Sequence, residues 1–162
     1  LQVDEVTISR ANPVWSPNGR WLSYATETGI YSWDSEQQTI RQLRSFTRSY
    51  ERGDSYSGFV WSPNSRFLAY REYLPGGTNN ERFRIQILDV ETREVEYIAS
   101  YVDTFTGELS WVRETQLAYT YANSEIFPAE RIHDDYLYDV ITGETINLTN
   151  SPVAERFVCL AG

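Results

Sequence analysis

Hydrophobic and polar positions alternate over short stretches of this chain, and one such stretch occurs three times. NPVWSPNGRWLSY at 12–24 returns as GFVWSPNSRFLAY at 58–70 and, with changes, as ELSWVRETQLAY at 108–119. Each copy predicts two short strands joined by a tight turn, because Pro presets one turn angle and Asn-Gly accepts positive φ. The equivalent residues Trp15, Trp61 and Trp111 are 46 and 50 residues apart. A repeat of this length indicates an array of supersecondary units.

The second halves of the three repeats also align with one another. Asp34, Asp89 and Asp139 coincide, and each follows a strand-like segment rich in branched or aromatic residues. No segment shows a helical period. Four short antiparallel strands per repeat predict an all-β chain made of β-propeller blades. We expect a single unit over 1–162, with blades at approximately 11–44, 58–99 and 108–149 and with flanking strands or links at 1–10 and 150–162.

These segments resemble a known family. The pattern WSPNGRWLSY, then IYSWD, then QL resembles the TolB-type repeat of WD-like β-propellers, and YDVITGETINLT in the third repeat is similar to it as well. The resemblance covers 12–149. It implies the propeller fold and an extracytoplasmic (periplasmic or secreted) location, but no single function, since propellers of this type serve different roles. The third repeat departs from the pattern at 112–114 and is one residue shorter, so its first hairpin should be looser.

Three blades are fewer than the roughly four to eight of a closed propeller, and a repeat array needs its end faces covered. The expected structure is therefore an incomplete ring. It would be part of a larger propeller, half of a six-bladed one formed by self-association through the open blade ends, or an array capped by other subunits. The chain starts at Leu1 and contains no Met, which suggests a processed chain or an excised piece.

The composition limits the kinds of binding partner that we expect for this chain. The 162 residues carry a formal net charge of −9, which argues against a nucleic-acid backbone or an anionic membrane as the main partner. No apolar run approaches the roughly 20 residues of a membrane-spanning helix, so we expect no direct membrane insertion. Aromatic residues make up 15% of the chain and have to be buried in a core or at an interface. The single Cys159 cannot form an internal disulfide.

Extra residues concentrate in three connections. The Trp-to-Asp spacing is 19 residues in the first repeat and 28 in the other two. The added segments 72–82 and 122–134, and the long connection 44–57, should leave one face of an up-and-down array. Loops on a rigid scaffold often bind partners, and Tyr and Arg are enriched at interface hot spots. We predict that this face binds a protein partner. The alternative is that the loops only pack on each other. The predicted binding residues are Tyr50, Arg52, Tyr56, Tyr73, Arg82, Phe127, Arg131 and His133.

We identify no catalytic residues, no metal site and no cofactor. His133 is the only His, and no Ser lies in a Gly-x-Ser-x-Gly elbow. Neighbouring side chains on a strand point in opposite directions, so His133, Asp134 and Asp135 should not converge on a metal. The three repeated Asp residues should bond their own turns. The three repeated Trp residues should pack in the core or between blades.

The leading interpretation is a non-catalytic module for protein–protein interaction, an accessory or scaffold subunit of a larger assembly. One alternative comes from the family resemblance, which implies the propeller of a hydrolase or peptidase whose catalytic domain lies elsewhere. A further alternative is a binder of small molecules or glycans that uses the central channel.

Overall fold

The structure, a computed structural model, describes residues 13–26, 28–45, 56–73, 83–101, 108–122 and 133–149. These residues form three four-stranded antiparallel sheets, each in chain order, which we call blades 1, 2 and 3. Blade 1 contains β1 (Val14–Trp15), β2 (Trp21–Thr26), β3 (Gly29–Asp34) and β4 (Thr39–Ser45). Blade 2 contains β5 (Tyr56–Trp61), β6 (Phe67–Tyr73), β7 (Phe83–Asp89) and β8 (Val95–Tyr101). Blade 3 contains β9 (Leu109–Trp111), β10 (Gln116–Ala122), β11 (His133–Asp139) and β12 (Thr145–Asn147).

The predicted all-β architecture of four-stranded blades is confirmed. Among the described residues, no helix has the length and apolar character that crossing a membrane requires.

The first turn of blades 1 and 2 is closed by the side chains of its own motif. Ser16 Oγ accepts a hydrogen bond from the Trp21 backbone at 2.9 Å and donates to Asn18 Oδ1 at 2.6 Å. Blade 2 repeats both bonds with its equivalent residues, at the same distances. Ser65 adopts φ 59° where blade 1 has Gly19, and its hydroxyl accepts a 3.1 Å bond from the Asn18 backbone. That bond joins the two turns, which therefore lie on the same side of the array.

The corresponding turn of blade 3 is held more weakly, as the sequence predicts. Val112 N donates to the Gln116 carbonyl at 2.9 Å, but both backbone bonds between Arg113 and Gln116 are 3.4 Å long. The Ser and Asn that supply the side-chain bonds in the other blades are absent from this motif. The third hairpin is therefore the looser one.

The repeated Asp residues cap the turn between the third and fourth strands. Asp34 Oδ1 accepts bonds from the backbones of Glu36 and Gln37 at 2.9 and 3.1 Å. Its Oδ2 accepts from Arg20 Nη2 at 2.8 Å, and Arg66 makes the same 2.8 Å contact with Asp89 in blade 2. The structural role predicted for these carboxylates is confirmed. In blades 1 and 2, the bond from Arg to Asp also links the first turn of the blade to the turn between its third and fourth strands.

The core lies between neighbouring blades. One cluster joins Ala25, Ile30 and Leu43 of blade 1 to apolar residues of blade 2 that include Trp61 and Leu68. A second cluster joins the opposite face of blade 2 to blade 3. Each blade is therefore a thin layer that buries its side chains against its neighbours.

The three equivalent Trp residues have different surroundings. Trp61 is 8% exposed and belongs to the cluster between blades 1 and 2. Trp111 stacks on Phe67 of blade 2 at 6.0 Å and donates from Nε1 to the Val60 carbonyl at 3.1 Å. The prediction of a packed position is wrong for Trp15, which is 52% exposed. The reason is positional, since each of the other two Trp residues packs on the preceding blade and blade 1 is the first blade described.

Candidate functional site

The signature turns and the long connections leave opposite ends of the sheets. Tyr56, the first residue of β5, pairs with Glu72, and Tyr73, the last residue of β6, pairs with Phe83, the first residue of β7. In blade 3, Ala122 at the end of β10 pairs with His133 at the start of β11. We call these strand ends, and their counterparts in blade 1, the loop end of the array.

The structure places three of the eight predicted binding residues at this loop end. Tyr56, Tyr73 and His133 are terminal residues of their strands, and the first two belong to the same end of one sheet. The other five lie outside the described residues: Tyr50, Arg52, Arg82, Phe127 and Arg131. The binding role of all eight therefore stays a prediction.

A buried polar network lies near the loop end, between blades 1 and 2. Tyr70 donates from its hydroxyl to Gln86 Oε1 at 2.8 Å, and Gln86 Nε2 donates to Glu72 Oε2 at 2.6 Å. The Arg44 guanidinium donates to both the Tyr70 hydroxyl and Gln86 Oε1. Burial raises the pKa of Tyr70 to about 12, against the opposing effect of Arg44. The phenol is therefore neutral at physiological pH, and the network ties the two blades together.

Arg71, the neighbour of Tyr70, is the unusual residue of this region. Side chains alternate along a strand, so Arg71 points to the face of Ala69, which packs on blade 3. It is 9% exposed, and its buried Nε has no hydrogen-bond partner in the described part of the chain. The equivalent positions of the other blades hold Ala25 and Thr120. A buried guanidinium nitrogen that makes no hydrogen bond is costly, so this position points to an anion.

Gly58 brings the Arg71 guanidinium close to the inner strand. Gly58 is exposed, has φ 66° and lies at a bulge in the pairing of β5 with β6. A methyl group at Gly58 would lie 3.0 Å from Nη2 and 3.2 Å from Cζ of Arg71. Strand β5 contacts both β1 and β9, the first strands of the neighbouring blades, so this glycine lies on the side of the array where the first strands meet.

Sequence reasoning missed Arg71, although the repeat contained a signal for it. Aligning the three copies places Arg directly after the repeated Tyr in blade 2, where the other copies have Ala25 and Thr120. The mismatch is visible in the sequence, but its significance depends on burial. Only the packing of blade 2 on blade 3 reveals that this Arg is enclosed.

The carboxylates next to His133 have separate partners. Asp134 accepts bonds from Asn147 Nδ2 at 3.0 Å and Thr149 Oγ1 at 3.1 Å. Asp135 accepts a 2.8 Å bond from Thr120 Oγ1. Within the described residues, no group of three or more His, Cys, Asp or Glu side chains converges in the way that a metal ion requires.

A groove of about 580 Å³ opens near the signature turns, between blades 2 and 3. Its walls include Arg66, Asp89, Glu94, Glu96 and Ile141. The Tyr138 hydroxyl donates to Glu96, and burial together with this carboxylate raises the pKa of Tyr138. Arg66 forms an ion pair with Asp89 at 2.8 Å. Three charged residues of the groove, Arg66, Asp89 and Glu96, therefore bond to neighbouring side chains.

Comparison with known proteins gives the fold. The β-propeller domain of the Trilobed protease from Pyrococcus furiosus matches with a TM-score of 0.63 at 17% identity, over 86% of this chain and 42% of that one. Porphyromonas gingivalis dipeptidyl peptidase 4 matches with a TM-score of 0.62 at 14% identity, over 84% of this chain and 25% of that one. The fold is a β-propeller.

A third similar structure is the acylaminoacyl peptidase of Pyrococcus horikoshii, with a TM-score of 0.60 and 16% identity over 85% of this chain. The chain spans 24% of that peptidase and less than half of the other two proteins. No protein-family model and no curated protein matches this sequence. The likeness therefore establishes the propeller and leaves the activity to be proposed.

Proposed function

We propose that this chain is a non-catalytic propeller module that binds a protein partner through its loop end, with Arg71 receiving a carboxylate of that partner. The observation that carries the proposal is the buried Nε of Arg71, which lies close to Gly58 and has no hydrogen-bond partner among the described residues. A planar guanidinium is suited to carboxylates because it donates two parallel hydrogen bonds. The partner is therefore a protein with an acidic side chain or a free C-terminal carboxylate at its tip.

The position of Arg71 supports binding over mere packing. Leaving a charge buried and unpaired costs several kcal/mol, and a ligand carboxylate would offset that cost. Tyr73 ends β6 at the loop end of the same blade, and the sequence of the connection that follows contains Arg82; aromatic and Arg residues are enriched at interface hot spots. We also assign the blades to the TolB-type repeat family, on the strength of the Trp-Ser-Pro-Asn motif shared by blades 1 and 2.

The test is a peptide array probed with the whole 162-residue chain. Each peptide is synthesised with a free and with an amidated C terminus, and acidic peptides are paired with their amide-substituted versions. We expect binding that requires a carboxylate and that Arg71→Ala abolishes. Arg113→Ala is the matched control, because Arg113 is an exposed Arg at the opposite end of blade 3 and its removal should leave binding unchanged.

The stability of the variants separates this role from a structural one. If Arg71 pairs with an acid of this same chain, Arg71→Ala will lower the free energy of unfolding and no peptide will bind, which contradicts the proposal. The predicted loop residues are tested in the same assay. Tyr73→Ala, Arg82→Ala and Phe127→Ala should weaken binding, by about 2 kcal/mol for a true anchor, with stability changes within about 0.5 kcal/mol.

A second candidate is favoured by the comparisons. The similar structures include a protease and two peptidases, each longer than this chain. In this case the chain is part of a propeller that controls substrate access to a hydrolase domain encoded elsewhere in the same gene. Reading the parent gene decides it, because an open reading frame without an α/β-hydrolase domain removes this candidate.

A further inference from the structure

The outer face of blade 1 is the counterpart of faces that are buried in blades 2 and 3. Trp61 and Leu68 of blade 2 are buried against blade 1. Their equivalents in blade 1 are Trp15 and Leu22, and no described strand lies against them. Trp15 and Ile40 on this face are 52% and 50% exposed. The face thus has the apolar character of an inter-blade contact and has no neighbouring blade among the described residues.

The aromatic residues of this face already have the arrangement of a docked blade. Tyr24 and Tyr31 stack with ring centroids 5.9 Å apart and planes at 16°. The equivalent pair in blade 3, Tyr119 and Tyr136, stacks at 5.6 Å and 18° and packs against blade 2. Since the uncovered pair matches the covered one, the outer face of blade 1 is preorganised for a further blade.

The other end of the array offers a surface of comparable character. Eight positions of blade 1 face blade 2. Five of them are apolar, at 14, 21, 25, 30 and 43, and the other three, at 23, 32 and 41, are polar. At the equivalent positions of blade 3, four of eight are apolar, namely Ala118, Leu137, Ile146 and Leu148. Ile146 and Leu148 are 56% and 52% exposed, whereas Ala118 and Thr120 on the same face are buried, at 2% and 8%. The one acid among the eight, Asp135, is buried with its carboxylate bonded to Thr120.

We propose that blade 3 of a second copy of this chain docks head to tail on the outer face of blade 1, and that two copies close a six-bladed ring. The contact reuses the geometry of the two inter-blade contacts within the chain. The indole of Trp15 would donate to the Ser110 carbonyl of the second copy, as Trp111 donates to Val60 at 3.1 Å. Head-to-tail contacts form a closed ring when the rotation between units fits, and six blades lie within the typical range of about four to eight.

The first measurement is the mass of the intact chain by sedimentation equilibrium over a range of concentrations. We expect a concentration-dependent species of twice 18.8 kDa and no larger one. A chain that stays monomeric throughout overturns the proposal, and so does an open-ended series of larger oligomers, which would show that the contact does not close.

Variants at the two ends distinguish this contact from other dimers. Trp15→Arg and Leu148→Arg should each raise the dimerisation Kd at least about tenfold, because each puts a charge into one apolar face. Ile40→Arg replaces Trp15→Arg if that variant fails to fold. Val112→Arg is the matched control, since Val112 is 57% exposed on the β9–β10 turn, away from both faces.

Mixing the variants gives the decisive result. In a mixture of Trp15→Arg and Leu148→Arg chains, one chain supplies an intact blade 3 face and the other an intact blade 1 face. Head-to-tail docking predicts a mixed dimer in that sample, with neither variant alone dimerising as strongly. If Leu148→Arg alone dimerises like the unaltered chain, the contact joins two copies of blade 1 and the proposal is wrong.

Discussion

Truncating the three equivalent Trp residues tests the layered packing directly, because the sequence treats them alike and the structure does not. Trp61→Ala removes a ring that is 8% exposed and belongs to the cluster against which Val14 and Trp21 of blade 1 pack. Truncating a buried Trp typically costs about 3–5 kcal/mol, which includes the cavity that remains. We expect Trp61→Ala to fall within that range.

Trp15→Ala should cost less in the monomer. At 52% exposure, about half of the roughly 150–250 Å² that a large aromatic side chain can bury is in contact with protein. At about 25 cal/mol per Å², this contact is worth about 2–3 kcal/mol, an upper value because unfolded chains already bury part of such surface. The open site leaves no dry cavity. We therefore expect Trp15→Ala to cost at least about 1 kcal/mol less than Trp61→Ala.

The assay is urea unfolding followed by far-ultraviolet circular dichroism, since the substitutions remove the fluorophore itself. It is run at concentrations where the chain is monomeric, and the denaturant slopes of the variants are compared to confirm that the same surface unfolds. Trp111→Ala should fall between the other two, because it loses a stack on Phe67 and one hydrogen bond. Equal costs at Trp15 and Trp61 would refute the argument that the preceding blade provides the burial.

Three further predictions follow from local geometry. Gly29→Ala should lower stability by about 1–3 kcal/mol by urea unfolding, because its methyl group would lie 2.1 Å from the Arg44 carbonyl; an unchanged midpoint would contradict the close approach. Asn18→Ala should cost about 1 kcal/mol in the same assay, since it removes the bonds to Ser16 and Arg20, and should leave peptide binding intact. The pKa of Asp34 is lowered chiefly by the Arg20 hydrogen bond, and that of Asp139 chiefly by the Ile141 backbone. Depressed carboxyl pKa values stabilise the fold above the unfolded value of about 3.9, so the unfolding free energy should fall as pH drops below about 4, and Asp34→Asn should flatten that decline.

The repeated blade and its turns follow from short-range patterns in the sequence. Strand periodicity sets which residues alternate between faces, and the Ser-Pro-Asn motif closes its hairpin with its own side chains, as Ser16 and Asn18 do. The Asp that ends each third strand bonds the backbone two and three residues later. These interactions span few residues, so the local sequence is sufficient to specify them. The same reasoning predicts the weaker third turn, from which the Ser and Asn are missing.

What each face of a blade contacts depends on how the blades stack on one another. Trp15 and Trp61 share a motif, but their burial differs. Trp61 lies in a blade that follows another blade, whereas Trp15 lies in the first blade described. Arg71 gains its significance in the same way, since a guanidinium on a strand is unremarkable until a neighbouring blade encloses it. The predicted residues of the long connections stay a prediction, because periodicity and turn chemistry do not specify the path of a connection of nine or more residues such as 74–82. Burial is a property of the contact between blades, and a repeat encodes one blade at a time.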